Sequence, residues 1–428
     1  MEELFNYFYS STGICTDTRN ITKDCLFICI QGENFDGNTF AKRALEQGAK
    51  HVIVDNKEYM DSSKNMVFVE NSIVFLQKLA NFHRKKFNIP VIGITGSNGK
   101  TTTKELIHSV LSKKYKVLAT IGNLNNHLGV PFTLLRLTKE HEIAIIEMGA
   151  NKFKDIEELC TIAEPTHGII TNIGKAHLEG FINLEGVIKT KKELYDSIEK
   201  NKGEIYINND DEILRDNLPQ NTTIHTYGKQ NAEVCGELVR LSPFVEMKWN
   251  SDVYNSVLLK LRMVGEYNFY NYLAAISFGV SFGVENQLIS EAIEEYTPSN
   301  SRSQVKKTEK NTLILDCYNA NPTSMKSALD SFAMIDSLNK ICILGDMREL
   351  GNESPNEHSK IIDQIEDLNL QAYVVGKEFS QTKSCNILQK FDTVNELKEH
   401  INLFPIQDKL ILLKGSRGIQ LEKIEDSL

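Results

Sequence analysis

The chain has 428 residues, 41% of them hydrophobic and 25% charged, with a formal net charge of −9. This length predicts about two to four domains, and the acidic balance excludes a basic nucleic-acid-binding surface. No run approaches the ~18 consecutive apolar residues of a membrane span. The acidic start lacks the basic segment of a secretory signal. The eight cysteines show no zinc-ligand spacing, so we expect reduced thiols in a cytoplasmic protein.

The first region, residues 1–87, contains short apolar runs at residues 26–30 and 51–55. A helix is predicted over about residues 72–85. Residues 88–90 end in proline, which disfavours helix at the preceding residue and indicates a linker. We expect a small α/β domain here.

The second region, residues 88–297, begins with a predicted strand at residues 91–95, a glycine-rich turn and a helix over 101–111. Further apolar runs follow at residues 143–146 and 168–173. Strands that alternate with helices indicate a mostly parallel sheet. Residues 202–263 add short strand-like runs whose arrangement the sequence leaves open.

The third region, residues 298–428, repeats the alternation. Strands are predicted at residues 313–315, 341–344, 373–375 and 410–413, and helices at 323–335 and 394–403. This pattern predicts a Rossmann-like, doubly wound domain.

The clearest motif is a phosphate loop between the first strand and helix of the second region. It comprises Gly96, Ser97, Asn98, Gly99, Lys100, Thr101 and Thr102, the short G-x-x-G-K-T form. Glycines let successive N–H groups face one anion, and the helix N-terminus adds positive potential. Lys100 is predicted to contact the β- and γ-phosphates and Thr101 to bind Mg²⁺. The alternative is a glycine turn that only joins a strand to a helix.

Two further side chains follow predicted strands of the same region. Glu147 ends the run at residues 143–146, and His177 follows the run at 168–173. The carboxyl ends of parallel strands are where α/β sheets bind ligands. Taken alone, Glu147 can be interpreted as a loop carboxylate and His177 as a structural histidine. Because both follow a phosphate loop in the same region, they become candidate metal ligands.

The chain resembles the Mur ligase family, ATP-dependent enzymes that extend the peptide of the cell-wall precursor. The resemblance spans nearly the whole chain, including residues 95–101, 172–179 and 265–271. Within the family, the chain is most similar to the member that adds D-alanyl-D-alanine to UDP-N-acetylmuramoyl-tripeptide. The segments that favour this member are residues 122–131, 147–151, 316–322 and 344–351.

The resemblance implies ATP, two Mg²⁺ ions, and CO₂ bound as a carbamate on Lys191. The catalytic residues it implies are Lys100, Glu147, His177 and Lys191, and the metal ligands are Thr101, Glu147, His177 and carbamylated Lys191. By composition alone, residues 189–195 are interpreted as a solvated basic helix face. A carbamate requires a neutral amine, and the pKa of a lysine falls readily on burial.

The resemblance also implies contacts to both substrates. Beyond the phosphate loop, the implied nucleotide-binding residues are Asn268, Asn271, Arg302, Asp316, Tyr318, Asn319 and Asn321. The implied substrate-binding residues are Thr18, Arg19, Gly32, Asp36, Gly37, Asn125, Asn126, Lys414 and Arg417. Without the resemblance, the segments at 17–19 and 32–37 are equally interpreted as turns, and Arg302 and Arg417 as surface arginines.

The sequence departs from the family in two places. Tyr267 stands where the family usually has histidine, and Asp316 follows Leu315 where many members have a second acid. The first difference puts any role of that histidine in doubt, and the second leaves Asp316 as the single acid at its site.

The implied reaction forms an acyl phosphate on the tripeptide carboxylate, which the dipeptide amine then attacks. Three alternatives remain: a ligase of the same mechanism acting on another precursor or on folate, an ATP-hydrolysing switch protein, and a small-molecule kinase. The sequence also leaves open whether the third residue of the tripeptide is diaminopimelate or lysine. We expect a monomer, whose partners are the two substrates.

Overall fold

The computed structural model describes residues 2–62, 65–176, 178–241, 244–299, 301–337, 339–382 and 384–428. The chain folds into two compact units. One comprises residues 1–93, 116–149 and 155–166, and the other comprises residues 94–115, 150–154 and 167–428.

The α-helices are α1 Asn6–Tyr9, α2 Ala41–Glu46, α3 Ser72–Arg84, α4 Lys100–Leu111, α5 Gly129–Leu134, α6 Asp155–Ala163, α7 Leu178–Phe181, α8 Leu184–Lys200, α9 Glu212–Asp216, α10 Tyr267–Ser281, α11 Asn286–Glu295, α12 Pro322–Ala333, α13 Ser354–Asp367, α14 Lys377–Ser380 and α15 Val394–Leu403. Short 3-10 helices include Thr18–Asn20, Gly37–Phe40 and Arg417–Ile419.

The strands are β1 Ile14–Cys15, β2 Leu26–Ile28, β3 Gln31–Gly32, β4 Phe35–Asp36, β5 His51–Val54, β6 Met66–Phe68, β7 Val91–Thr95, β8 Val117–Ala119, β9 Ile143–Glu147, β10 His167–Ile170, β11 Glu204–Asn208, β12 Thr223–Gly228, β13 Val234–Arg240, β14 Glu246–Ser251, β15 Tyr254–Asn255, β16 Leu259–Lys260, β17 Gln304–Lys307, β18 Thr312–Leu315, β19 Lys340–Gly345, β20 Ala372–Val375, β21 Ile387–Phe391 and β22 Leu410–Lys414.

The first unit contains a four-stranded sheet of order β1-β2-β5-β6, parallel throughout. Strands β2 and β5 are almost wholly buried, as parallel strands covered on both faces are. Helix α3 begins where the Asn71 side chain accepts a hydrogen bond from the N–H of Val74, an N-cap that satisfies one free backbone donor. It ends at Arg84, which donates to the carbonyl of Ala163 at the end of α6, a favourable place for a cation.

The second unit holds two sheets. In one, strands β10 to β13 run parallel in sequence order, and the antiparallel β14, β15 and β16 follow. Strands β11 to β16 account for the strand-like runs predicted at residues 202–263. The other sheet has the order β17-β18-β22-β19-β20-β21. Only its β17 pairing is antiparallel, and apolar clusters cover both faces.

The predicted fold class is confirmed: α/β, with mostly parallel sheets and a doubly wound C-terminal region. The strand predicted at residues 91–95 is β7 and the helix predicted at 394–403 is α15. The run at residues 168–173 is strand only over His167–Ile170, because the next side chains bind the phosphate loop. Within the described ranges, no helix is both long and apolar enough to cross a membrane.

Candidate active site

The phosphate loop joins the end of β7 to the start of α4, as predicted. Gly99 caps α4 in the left-handed region at φ 80°, and Gly96 has φ 146°, so both positions favour glycine. A Cβ on Gly96 would collide with the Thr171 side chain and lie 3.0 Å from the Thr171 backbone nitrogen. A Cβ on Gly99 would lie 2.7 Å from Oδ1 of Asn271. The loop therefore needs glycine for space as well as for conformation.

The residues after β10 hold the middle of the loop. The N–H of Ser97 donates to the carbonyl of Asn172 at 3.0 Å, and the Ser97 hydroxyl bonds the backbone of Gly174. The N–H of Asn98 donates to Oδ1 of Asn172 at 3.0 Å, while the Asn98 carbonyl accepts from the Thr171 hydroxyl and from Nδ2 of Asn172. The chain's own hydrogen bonds thus hold the loop conformation, and a preorganised loop binds a ligand at lower cost.

Lys100 lies at the first position of α4, and its side chain folds over the loop. Its Nζ donates to the carbonyl of Gly96 at 2.6 Å. An ammonium has three donors, so this contact leaves the group chemically able to bind a phosphate. Thr101 and Thr102, in the same helical turn, are 4% and 7% exposed.

Asn268 and Asn271, predicted to hold the nucleotide, are buried side chains of α10. Oδ1 of Asn271 accepts from the Thr103 hydroxyl of α4 at 3.0 Å. Its Nδ2 donates to Oδ1 of Asn268 at 2.9 Å, and Asn268 in turn donates to the carbonyl of Val264. These bonds support the helix that carries the phosphate loop.

Glu147 ends β9 in the first unit and is 1% exposed. Its Oε1 accepts from Nδ2 of Asn125 at 2.7 Å, and its N–H donates to the Thr120 hydroxyl. The N–H of Gly149 donates to the carbonyl of Asn125, which secures that segment. Asn126 accepts from two backbone N–H groups at the start of α5.

Lys191 is 1% exposed on α8 and is among the largest fully buried side chains. Its Nζ lies 5.8 Å from the centre of the Phe181 ring. Lys189, on the same helix, is exposed, and Lys192 pairs with Asp196. The interpretation of this segment as a uniformly solvated basic face is therefore wrong for Lys191, because its position on the helix turns it inward.

The C-terminal region gathers several predicted residues around Asp316 and Tyr318. Asp316 accepts from Nζ of Lys414 and from the N–H of Ser303. The guanidinium carbons of Arg302 and Arg417 lie 3.7 Å and 5.3 Å from the centre of the Tyr318 ring, within cation–π range. The two arginines and the tyrosine thus form one cationic and aromatic surface.

The two asparagines of the same segment differ in their surroundings. Asn319 is exposed, and its Oδ1 accepts from the N–H of Ala320. Asn321 is 7% exposed and is the N-cap of α12. Tyr267, which replaces the usual histidine, shares a 2.9 Å hydrogen bond with the Ser303 hydroxyl, and burial raises its pKa. The tyrosine therefore supports the segment next to Asp316.

Arg19 and Thr18 lie in the 3-10 helix that Asp17 caps. The Arg19 guanidinium lies 2.7 Å from Asp17, and its hydrogen bonds lower the pKa of Asp17 to about 2. Arg19 is otherwise exposed to solvent.

Asp36 caps the next short helix and accepts from the N–H and Nδ2 of Asn38. Gly37 allows a close approach to Ile30, whose carbonyl would lie 2.6 Å from an added Cβ. Gly32 lies in strand β3, which pairs with β4. Both predicted segments are therefore structured turns with side chains or backbone at the surface.

The prediction that His177 is a metal ligand lies outside the described residues. Among those described, no group of three or more His, Cys, Asp or Glu side chains forms a ready metal-binding cluster. The sequence did not assign roles to Thr171, Asn172 or Thr103, which hold the phosphate loop and its helix. Their signal was position: the first two come directly after a strand of the same parallel sheet, where loops converge.

A strand, a glycine-dependent phosphate loop and a helix within parallel sheets define a nucleotide-binding α/β protein. Three family models match in succession: "Mur ligase family, catalytic domain" at residues 10–94, "Mur ligase middle domain" at 94–279, and "Mur ligase, glutamate ligase domain" at 301–417. The UDP-N-acetylmuramoyl-tripeptide–D-alanyl-D-alanine ligase of Bacillus subtilis is 31% identical over 97% of this chain and 93% of its own length. The chain belongs to the Mur ligase family.

Two solved structures extend the likeness to the whole fold. MurF from Acinetobacter baumannii is 29% identical and superposes with a TM-score of 0.87 over 100% of this chain and 98% of that protein. The MurF ligase from Thermotoga maritima in complex with ADP gives the same TM-score and coverage at 26% identity.

Proposed function

We propose that this chain joins D-alanyl-D-alanine to the terminal carboxylate of UDP-N-acetylmuramoyl-tripeptide, with ATP as the energy source, in peptidoglycan precursor synthesis. The observation that carries the proposal is the near full-length match to the Bacillus subtilis ligase of that name. The phosphate loop supplies the nucleotide site that this chemistry needs. The ADP complex of a similar ligase supports ATP use.

A carboxylate is a poor electrophile, so it must first be activated. Its oxygen attacks the γ-phosphorus of ATP, which gives an acyl phosphate and ADP. The dipeptide amine then attacks the acyl carbon, the amide forms and phosphate leaves. The protein contributes positioning and charge neutralisation.

We assign the nucleotide phosphates to the loop from Gly96 to Thr102, with Lys100 as its charged contact. The Arg302, Tyr318 and Arg417 surface offers stacking and positive charge to a nucleotide or to an acyl phosphate. Asn319 lies next to this surface, and the ion pair between Asp316 and Lys414 supports it. Asn268 and Asn271 act through α4, the helix that follows the loop.

Mg²⁺ would neutralise phosphate charge, and the residues present suit it. The Thr101 hydroxyl and the Glu147 carboxylate are hard oxygen ligands of the kind Mg²⁺ prefers. Glu147 is a buried carboxylate at a strand end, and Asn125 holds its Oε1 at 2.7 Å, so the side chain has a fixed orientation. We assign metal ligation to both, and to His177.

Lys191 is the residue we assign to the carbamate. Its side chain is buried, and a carbamate forms when a neutral lysine amine attacks CO₂ and loses a proton. The resulting carbamate would give the helix an anionic oxygen group in place of a cation. Beside a metal ion, an anion stabilises the site.

We assign the UDP-sugar to the N-terminal region, residues 1–87, through Thr18, Arg19, Gly32, Asp36 and Gly37. Residues 88–297 bind ATP, with Asn125 and Asn126 assigned to the precursor peptide, and residues 298–428 receive the dipeptide. The three successive family models support this division. We further propose a monomer in the cytoplasm. The eight free cysteines fit that reducing compartment.

The test is a reaction with ATP and both peptide substrates, monitored by mass spectrometry and phosphate release. We expect amide product and phosphate in equal amounts, and neither without both substrates. Phosphate release at the same rate with and without the precursor would indicate a switch protein. A stable phosphorylated product would indicate a kinase. Faster ligation of single amino acids or of folate would indicate another ligase.

A further inference from the structure

The side chain of Asn98, in the middle of the phosphate loop, contacts the C-terminal part of the chain directly. Its Oδ1 accepts a hydrogen bond from Nδ2 of Asn321 at 2.8 Å. The backbone of Asn98 is held separately by Thr171 and Asn172. The Asn321 contact is therefore an additional constraint on this loop residue, from 223 positions further along the chain.

Asn321 uses both ends of its amide. Oδ1 accepts from the N–H of Ser324 at 2.9 Å and caps α12, in a full capping box. Nδ2 donates to Asn98. Because the cap fixes the side chain's orientation, the donor has a defined direction. The start of α12 and the phosphate loop are thereby coupled through one rigid amide.

A second contact brings the same helical turn against the same part of the site. The Thr323 hydroxyl accepts from the N–H of Lys175 at 3.0 Å. Gly174 permits this approach, since a Cβ there would lie 2.7 Å from the Thr323 hydroxyl oxygen. Lys175 also pairs with the buried Glu357 of α13 at 2.9 Å. The turn that carries Asn321 is thus held by two contacts, one to Asn98 and one to Lys175.

We infer that Asn321 is a positioning residue that acts through Asn98, setting the phosphate loop for nucleotide binding when the first turn of α12 is docked. The inference rests on the proposed function only for the steps after nucleotide binding, because the coupling itself concerns the affinity of the loop for phosphate. An Asn321 that instead touched the nucleotide directly would act independently of Asn98.

The experiment is a double-mutant cycle with Asn321→Ser, Asn98→Ala and the double variant. Serine keeps the cap on α12 but is too short to reach Asn98. The readouts are the Kd for Mg·ADP by calorimetry, the Tm, and kcat with KM for ATP. Asn71→Ser is the matched control, since Asn71 caps α3 with no part in the loop.

We expect each single variant to weaken ADP binding by up to about tenfold, the range of one hydrogen bond. The double variant should be no weaker than Asn98→Ala alone, and Asn71→Ser should bind ADP normally. Multiplying losses in the double variant would overturn the inference, and so would a fall in Tm with unchanged Kd. A wild type that binds ADP but makes no amide would refute the proposed function and leave this cycle fully interpretable.

Discussion

Nζ of Lys414 lies 2.6 Å from Oδ2 of Asp316, and the two side chains are 2% and 16% exposed. The contact joins the last residue of β22 to the residue directly after β18. Because the other Asp316 oxygen accepts from the N–H of Ser303, the pair also fixes the segment that carries Arg302. A buried ion pair here organises the cationic surface beside Tyr318.

Lys414→Met should destabilise the protein by about 3 kcal/mol, because it leaves Asp316 largely buried without its cation. Chemical denaturation measures the loss. The double variant Lys414→Met/Asp316→Asn should recover part of it, since the unpaired charge is gone. Equal stability of the single and double variants would contradict this explanation.

Lys100→Ala should lower kcat by about 10²- to 10³-fold, the cost of one preorganised charge contact in a transition state. The Tm should stay close to wild type, since the lysine contributes charge rather than packing. Lys113→Ala, which removes a surface pair with Glu295, is the control and should remain active. Near-normal turnover of the Lys100 variant would refute the loop assignment.

Lys191→Ala should be nearly inactive and partly rescued by acetate. If the residue works as a carbamate, its loss removes an anion, and a small carboxylate can take its place. If it works as a cation, only an amine can take its place. Steady-state rates with acetate or methylamine separate the two. Lys189→Ala, on the exposed face of the same helix, should be fully active. Rescue by the amine alone would exclude the carbamate.

Gly96→Ala should lower the Tm more than Gly13→Ala does. The two glycines have similar φ, 146° and 151°, so the backbone strain of an added Cβ is alike. Gly96 also meets Thr171, whereas nothing lies within 4 Å of Gly13. Thermal unfolding and ADP titration measure both effects. An equal Tm loss at the two positions would show that the contact with Thr171 is relieved at no cost.

Arg19→Ala should weaken binding of the UDP-precursor and leave ADP affinity unchanged, as measured by calorimetry. The exposed Arg43→Ala serves as the control. The variant should also raise the pKa of Asp17 from about 2 toward 3.8, which NMR titration detects. The sign comes from the pair: Arg19 stabilises ionised Asp17, a contribution present above pH 3.8 and lost as the pH falls through about 2. An unchanged pKa would show that the pair is absent in solution.

The sequence predicted the elements that depend on local pattern. The strand before the phosphate loop and helix α4 were predicted from an apolar run that precedes Gly, Lys and Thr, because the loop's chemistry needs that order. Helix α15 was predicted as one of the helices that alternate with strands in the third region, and its apolar residues Leu397 and Ile401 are buried. These features depend on residues within one continuous segment of the chain.

The parts that the sequence could not predict depend on contacts between distant segments. Thr171 and Asn172 hold Asn98 across more than 70 positions; their position after a strand indicated a ligand-binding edge, but their residue types did not indicate which loop they contact. The burial of Lys191 also depends on the residues that pack against α8, whereas local composition indicated solvent. Long-range hydrogen bonds and burial are properties of the assembled fold.

The exposure of the thiols gives this protein one preferred site for chemical labelling. Cys385 is the exposed member of the eight free cysteines, while burial raises the pKa of Cys29 and of Cys317 to about 12. A maleimide dye reacts with accessible thiolate, so it should attach at Cys385 faster than at Cys15 or Cys235, which are only partly exposed. The attached fluorophore would then report, in the unmutated enzyme, on how its local environment near β21 responds when substrates are added in turn.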